Sequence, residues 1–522
     1  MAESYDVLIV GGGHNGLVAA SYLARAGMSV LVLERGAEPG GACATETLAP
    51  GVRASAGAHL FRALSPQIID ELGLAERGLE LYTREESTFL PLPDGNHVML
   101  YADEKRTLAE LARHSPRDAE GFVRLQTWLD RLARRLEPWS MHAPPSMEDL
   151  SRAFSGREGE LMLRDLLFTS VQEMMDEYFE TRQIKAVFGV DGIMGTFAGP
   201  RTPGTAYGLI HRLTGTTLGV RGQWGLIRGG FGELTRTLVD AARSHGVEIR
   251  TAAPVASIEA EGGKVRGLRL QNGEVIEARF VMSSADPRTT FLRLVSREHL
   301  SASFVSRVEQ YPMQGYGMKM QLVLSELPDY LAIPGTAPAP HHRARFVIAP
   351  SLEYMHQAYG DGRVGRFSSQ PIVDGVIPTV DDPSLAPDGQ HVMSLWVQFA
   401  PYHLTDGTWI DQGELAADQV VDLLSRYAPN LPKAIVARRV TSPLAIEERF
   451  GMAWGHPDHG EIRPGSVMSF RPVPGWARYR TPIDGLYLCG AGAHPGGGIS
   501  GAPGRNAAYA LLDDLASEES SE

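Results

Sequence analysis

Residues 5–10 form a short β-branched apolar run of strand length that stops at glycines. From 17 to 26 the apolar positions recur at helical spacing until Gly27 supplies a stop, and residues 29–33 make a second apolar run. This order predicts a strand–helix–strand unit with its strands buried in a parallel sheet.

Further along, a helix is expected over 65–72, opened by Ser65-Pro66, and residues 89–102 alternate around Pro93-Asp94-Gly95-Asn96 as a hairpin would. Ser115-Pro116 opens a helix with Phe122, Leu125, Leu129, Leu132 and Leu136 on one face. Its remaining positions carry Arg117, Arg124, Arg131, Arg134 and Arg135 among Asp118, Glu120 and Asp130, which reads as a solvated charged face. Residues 160–188 read as one more helical region, rich in Leu, Met and Phe. After the turn RGGFG come a helix over 233–244, strands at 247–250 and 255–258, and an antiparallel excursion over 264–270 and 275–282. Residues 318–324 and 392–400 run apolar at strand length and are expected to wall a substrate cavity. The fold class is therefore α/β, with a Rossmann-type dinucleotide-binding domain and a mixed α+β substrate domain. The expected division is 1–64, 222–300 and 445–522 for the first and 65–221 and 301–444 for the second.

The glycines carry the chemistry. Gly11, Gly13 and Gly16 fill G-x-G-x-x-G between strand and helix. Gly11 allows the tight turn, Gly13 lets a pyrophosphate approach the backbone, and Gly16 lets helix and strand pack closely. Glu34 ends the second strand where an acid accepts hydrogen bonds from ribose hydroxyls. Arg35, Gly40, Gly41 and Ala42 continue it as ERGAEPGGA, which resembles the continuation seen in FAD-binding proteins of the glutathione-reductase and amine-oxidase superfamily. That resemblance favours FAD over NAD. Near the end, GLYLCGAGAHPGGGISGAPGRNAAYALL runs from a strand through glycines into a helix, so backbone N–H groups and a helix start would face whatever lies there.

Composition narrows the picture. With 522 residues, 43% hydrophobic and 21% charged, the chain has ordinary globular composition and room for more than one core. A net charge of −13 and the lack of a basic run argue against a nucleic-acid partner. Two cysteines, Cys43 and Cys489, make neither a disulfide framework nor a metal cluster and suit a reducing compartment. The acidic start MAESYD runs directly into the first strand, which leaves no room for a signal peptide and points to the cytoplasm. No stretch reads as a membrane span, which leaves a peripheral contact with lipid open.

GGGHNGLVAASYLARAG, ERGAEPGGACATE, RGGFGEL, SSADP and GLYLCGAGAHPGGGISG, in this order along nearly the whole chain, resemble the phytoene desaturase-like flavoproteins. The resemblance implies noncovalent FAD held by Gly11, Gly13, Gly16, Glu34, Arg35, Gly40, Gly41, Ala42, Val255, Gly490, Ala491, Gly498 and Ile499. A redox-active cysteine pair would need a second cysteine at Glu46 or Leu48, so disulfide reduction is not expected. The expected activity is dehydrogenation of an apolar small molecule, with hydride passing to flavin N5 and reoxidation by oxygen or a quinone. His59 and His494 are the candidate proton acceptors, with loop bracing as the other reading of each. A redox-neutral polyene isomerase, an amine oxidase and a non-catalytic flavin-binding protein remain as alternatives.

Overall fold

The computed structural model describes residues 4–61, 64–214 and 216–520. The first apolar run forms strand Ser4–Val10, whose parallel neighbours are Val30–Leu33 and Val275–Ser283. Glu248–Arg250 extends the parallel sheet beyond Val30–Leu33, and Leu486–Leu488 joins along the far half of Val275–Ser283. The near half of that strand instead pairs antiparallel with Lys264–Leu270, which pairs with Val255–Glu261, as the excursion predicted. Register puts Val10 opposite both Leu33 and Ser283, and Ser283 opposite Leu488. Four parallel strands therefore end at one edge, where doubly wound sheets bind their ligands.

A second sheet has the order Ile435–Thr441, Gly317–Leu324, His391–Gln398, Ile372–Val376, Arg345–Ile348, Glu86–Pro91 and His97–Tyr101. Every pair is antiparallel except Arg345–Ile348 with Glu86–Pro91. One face is apolar: Met318, Met320, Leu322, Leu395 and Val397 pack with Val420 and Leu424 of helix Trp409–Ser425. The other face carries Lys319, Gln321, Arg345, Asp374 and Ser394, all buried. The strands over 318–324 and 392–400, expected to wall a substrate cavity, turn Lys319, Gln321 and Ser394 to this face beside Val323, Val392 and Trp396, while strand alternation sends the methionines to the opposite side.

Helix Pro116–Leu136 starts where Ser115 accepts a hydrogen bond from the Arg117 N–H, and Phe122, Leu125, Leu129 and Leu132 are buried. Asp118, expected on its solvated face, is fully buried and accepts the N–H of Glu180 at 2.7 Å. The single helical region expected over 160–188 is three helices, Gly156–Leu167, Val171–Tyr178 and Arg182–Gly189. Ser170 and Glu173 form a capping box that restarts the second, a device worth about 1 kcal/mol. Asp118 fixes the break before the third.

Core packing crosses three of the expected boundaries. Ile68, Leu72, Leu74 and Leu79 pack in the dinucleotide-domain core, and so do Phe304, Val305 and Val308. Ile446, Ile462, Val467 and Met468 pack with the helical part of the substrate domain. Among the described residues no helix is long and apolar enough to cross a membrane.

Candidate functional site

The three glycines of the first turn each meet a different constraint. Gly11 has φ +94°, a conformation that side chains disfavour. A Cβ on Gly16 would lie 2.2 Å from the Gly11 carbonyl oxygen, so helix and strand touch there without space for a methyl. A Cβ on Gly13 would meet nothing within 4 Å, which leaves bare backbone facing open space. Helix His14–Arg25 begins there with no side-chain cap and no acid in its first turn, so its first N–H groups remain for an anion.

Helix Ala502–Glu519 also starts without an acid, but its first N–H, of Ala502, donates to Ser500 Oγ at 3.2 Å and its second residue is Pro503, which has no N–H. It crosses the first helix so closely that a Cβ on Gly504 would lie 2.1 Å from the Asn15 carbonyl oxygen. The starts of the two helices therefore lie together, that of His14–Arg25 being the uncapped one. Glu34 lies at the edge where the parallel strands end, its carboxylate oxygens each accepting one N–H, from Gly12 and Gly36, at 2.7 Å. The Gly40 N–H donates to the Gly12 carbonyl, and the Ala42 carbonyl accepts from Ala58 N–H at 2.7 Å. The strand opening at Val255 is tied in through the Ala253 N–H, which donates to the Glu34 carbonyl.

From the other end of the chain, Gly490 packs on Ser284, where a Cβ would come within 2.3 Å of the carbonyl oxygen. Gly498 has φ +112° with open space beside it, and Ile499 holds the left-handed region at φ +59°, unusual for a β-branched residue. The structure thus brings all the expected FAD-binding positions but one to a single edge. The exception is Arg35, whose guanidinium donates to the Glu448 and Arg449 carbonyls at the end of helix Pro443–Phe450. A bare backbone cradle, an uncapped helix start and a ribose-height carboxylate fit an adenine dinucleotide with an anionic pyrophosphate.

His59 follows directly on this loop. Its Nδ1 lies 3.1 Å from Lys319 Nζ, which also donates to the Ala58 carbonyl. Its Nε2 faces Asp374 at 3.4 Å, and Asp374 in turn binds Arg345, which also pairs with Asp191. Burial pulls the Lys319 amine down to about 7 against the opposing charge of Asp374. Burial and the charge of Lys319 pull His59 down to about 4. Burial alone would raise Asp374, but Arg345 and His59 outweigh it and hold that carboxyl well below the usual range. With both ring nitrogens engaged, His59 is not a free proton acceptor. Lys319 is the titratable group that the motifs did not point to; the signal was a lysine and a glutamine at alternate positions of an otherwise apolar strand.

Next to Leu60 opens a cavity of about 470 Å³, lined among others by Trp139, Tyr207, Arg212, Trp224, Asp458, His494 and Gly498. Burial raises the Asp458 carboxyl, with Arg212 and Arg471 opposing. His494 is 6% exposed, its Nε2 2.8 Å from the Trp139 carbonyl and its pKa lowered to about 4 by burial, so the neutral ring braces the glycine loop. The loop is held from behind by Arg471, fully buried, which donates to the Ala491 carbonyl from Nε and Nη2 at 3.0 and 2.7 Å. Its remaining donors reach carbonyls of Asp458, Gly460, Glu461 and Ser466. Cys43 and Cys489 are buried free thiols, each raised to about 12 by desolvation.

A Rossmann sheet with a flavin-type cradle, beside a partly open chamber, is the architecture of a flavin oxidoreductase. The chain belongs to the flavin-containing amine oxidoreductase family, whose model matches residues 16–317, and is an FAD-dependent oxidoreductase. It is 35% identical, over 99% of its length and 94% of the relative's, to pyridine nucleotide-disulfide oxidoreductase domain-containing protein 2 of Rattus norvegicus. It is 25% identical, over 97% of its length and 99% of the relative's, to a phytoene desaturase (lycopene-forming) of Pseudescherichia vulneris. Among solved structures, putrescine oxidase bound to putrescine shares the fold with a TM-score of 0.64, 15% identity and 99% coverage of both chains.

Proposed function

We propose that this protein is an FAD-dependent dehydrogenase that removes a hydride from an apolar carbon and a proton from its neighbour, leaving a C=C or C=N bond. Bound FAD supplies the hydride acceptor, flavin N5, and oxygen or a quinone regenerates it. The chain's own residues bind and orient. Gly11, Gly13 and Gly16 with the start of helix His14–Arg25 would hold the pyrophosphate, Glu34 the ribose, and Val255 the adenine through its backbone. Gly40, Gly41 and Ala42 carry the chain past the pyrophosphate, while Gly490, Ala491, Gly498 and Ile499 line the flavin end. Lys319, neutral at mildly basic pH, would hold the abstracted proton, with His59 positioning its amine. Arg35 serves the packing of its neighbouring helix rather than the cofactor.

The observation that carries this reading is the bare glycine turn at the uncapped start of helix His14–Arg25, with a partly open cavity lined by the C-terminal glycine loop and a buried lysine at Ala58 and His59. Anaerobic addition of apolar polyenes, then of amines, to the FAD-loaded protein tests it. Bleaching of the yellow flavin band by a polyene supports dehydrogenation. Bleaching only by amines would replace it with amine oxidation, and turnover without bleaching or acceptor would replace it with isomerisation.

A further inference from the structure

The cavity is not uniformly oily. Arg212, near the end of helix Ala206–Thr214, lines it half-buried and has no hydrogen bond or ion pair among the described residues. A guanidinium removed from most of its water and left without a partner is costly, and its planar fork suits a carboxylate. The nearby charges do not supply one. Arg221, also on the lining, is ion-paired with Asp130. Asp458 lines the cavity and feels the charge of Arg212, which opposes the upward pull of burial on its carboxyl, but no ion pair joins the two. Arg134 and Glu137 sit at the exposed rim. Around Arg212 the lining is apolar and aromatic, with Leu60, Trp139, Ile210, Trp224 and Met468. The chamber of about 470 Å³ reaches from Gly498, assigned to the flavin end, to Arg212, so a ligand paired with Arg212 would share it with the cofactor.

We infer that the substrate is an amphipathic carboxylic acid whose carboxylate pairs with Arg212 while its hydrocarbon body lies along the Leu60, Trp139 and Trp224 wall. The inference rests on the dehydrogenase reading of the same site and narrows its substrate from any apolar molecule to one with an anionic handle. A cationic head would meet Arg212 unpaired, so simple alkylamines are excluded by charge.

Titration of the FAD-loaded protein with decanoate, 1-decanol and decylamine, read by perturbation of the flavin absorption band and by tryptophan fluorescence, tests it. Decanoate should bind at least tenfold more tightly than 1-decanol, with decylamine weakest. Arg212→Gln should erase the preference for the acid while leaving the 1-decanol affinity within twofold. Arg212→Lys, which keeps the charge and loses the fork, should retain a reduced preference and serves if the glutamine variant fails to fold. Equal affinity for acid and alcohol, or a preference that survives both substitutions, would overturn the inference. A protein that binds decanoate selectively but is never bleached by any hydride donor would sink the dehydrogenase reading alone.

Discussion

Lys319 Nζ stands 3.1 Å from His59 Nδ1 on a sheet face that is otherwise closed to water. The contact joins the substrate-domain sheet to the loop that follows the pyrophosphate turn, so the two domains meet at a titratable pair. Burial favours the neutral amine and brings Lys319 down to about 7. Only that neutral form accepts a proton. The rate of anaerobic flavin reduction should therefore climb with pH through about 7 and level off above it, losing activity as pH falls and the amine charges. Lys319→Met should flatten that limb and slow reduction by about 10²-fold, with FAD content unchanged. Stopped-flow measurement across pH checks both.

The first-turn glycines separate folding from binding. Gly16→Ala places a methyl against the Gly11 carbonyl oxygen and should cost at least about 1–3 kcal/mol of stability. Gly13→Ala meets no protein atom within 4 Å and should leave the apoprotein's thermal transition almost unmoved. It should raise the dissociation constant for FAD tenfold or more, about 1.4 kcal/mol, because the methyl occupies the pyrophosphate's approach. Calorimetry of the apoprotein alongside a flavin-binding titration distinguishes the two.

Arg471 is buried with its donors spread over backbone carbonyls rather than on an acid. Arg471→Lys keeps the charge but cannot reach all of them, and orphaned buried carbonyls cost about 1–3 kcal/mol each. The expected result is a loss of about 3 kcal/mol in denaturant unfolding and faster FAD release, since Ala491 and the glycine loop lose their anchor.

Cys43 is 1% exposed and Cys489 0%, and burial holds both thiols protonated. A thiol reagent should label neither in the native protein and both after denaturation. Cys43→Ala should retain flavin reduction, as a dehydrogenase without a cysteine pair requires.

Much of the dinucleotide domain was legible because its physics is local: strand length, a glycine turn, helical spacing and an acid at a set distance all lie within one short stretch. The hairpin of Glu86–Pro91 with His97–Tyr101 and the helix after Ser115 were legible for the same reason. What escaped depends on tertiary neighbours. Asp118 reads as a surface acid until the N–H groups of Glu180 and Thr181 are placed over it. Arg35 matches its motif by position, yet its fork is taken by a helix end more than four hundred residues away along the chain. Asp458 and Arg471 lie in Gly- and Pro-rich loops without periodicity, where only the fold reveals that one faces the cavity and the other is walled in by carbonyls. Lys319 was hidden in a strand whose methionines point the other way.

The most direct test of the account is to mix the FAD-loaded protein with an apolar unsaturated hydride donor in the absence of oxygen and follow the visible flavin band. The account predicts that the band fades in step with formation of a new double bond and returns when oxygen or a quinone is admitted. A folded protein that takes up no FAD, or whose flavin stays yellow while every such donor is left unchanged, would contradict it.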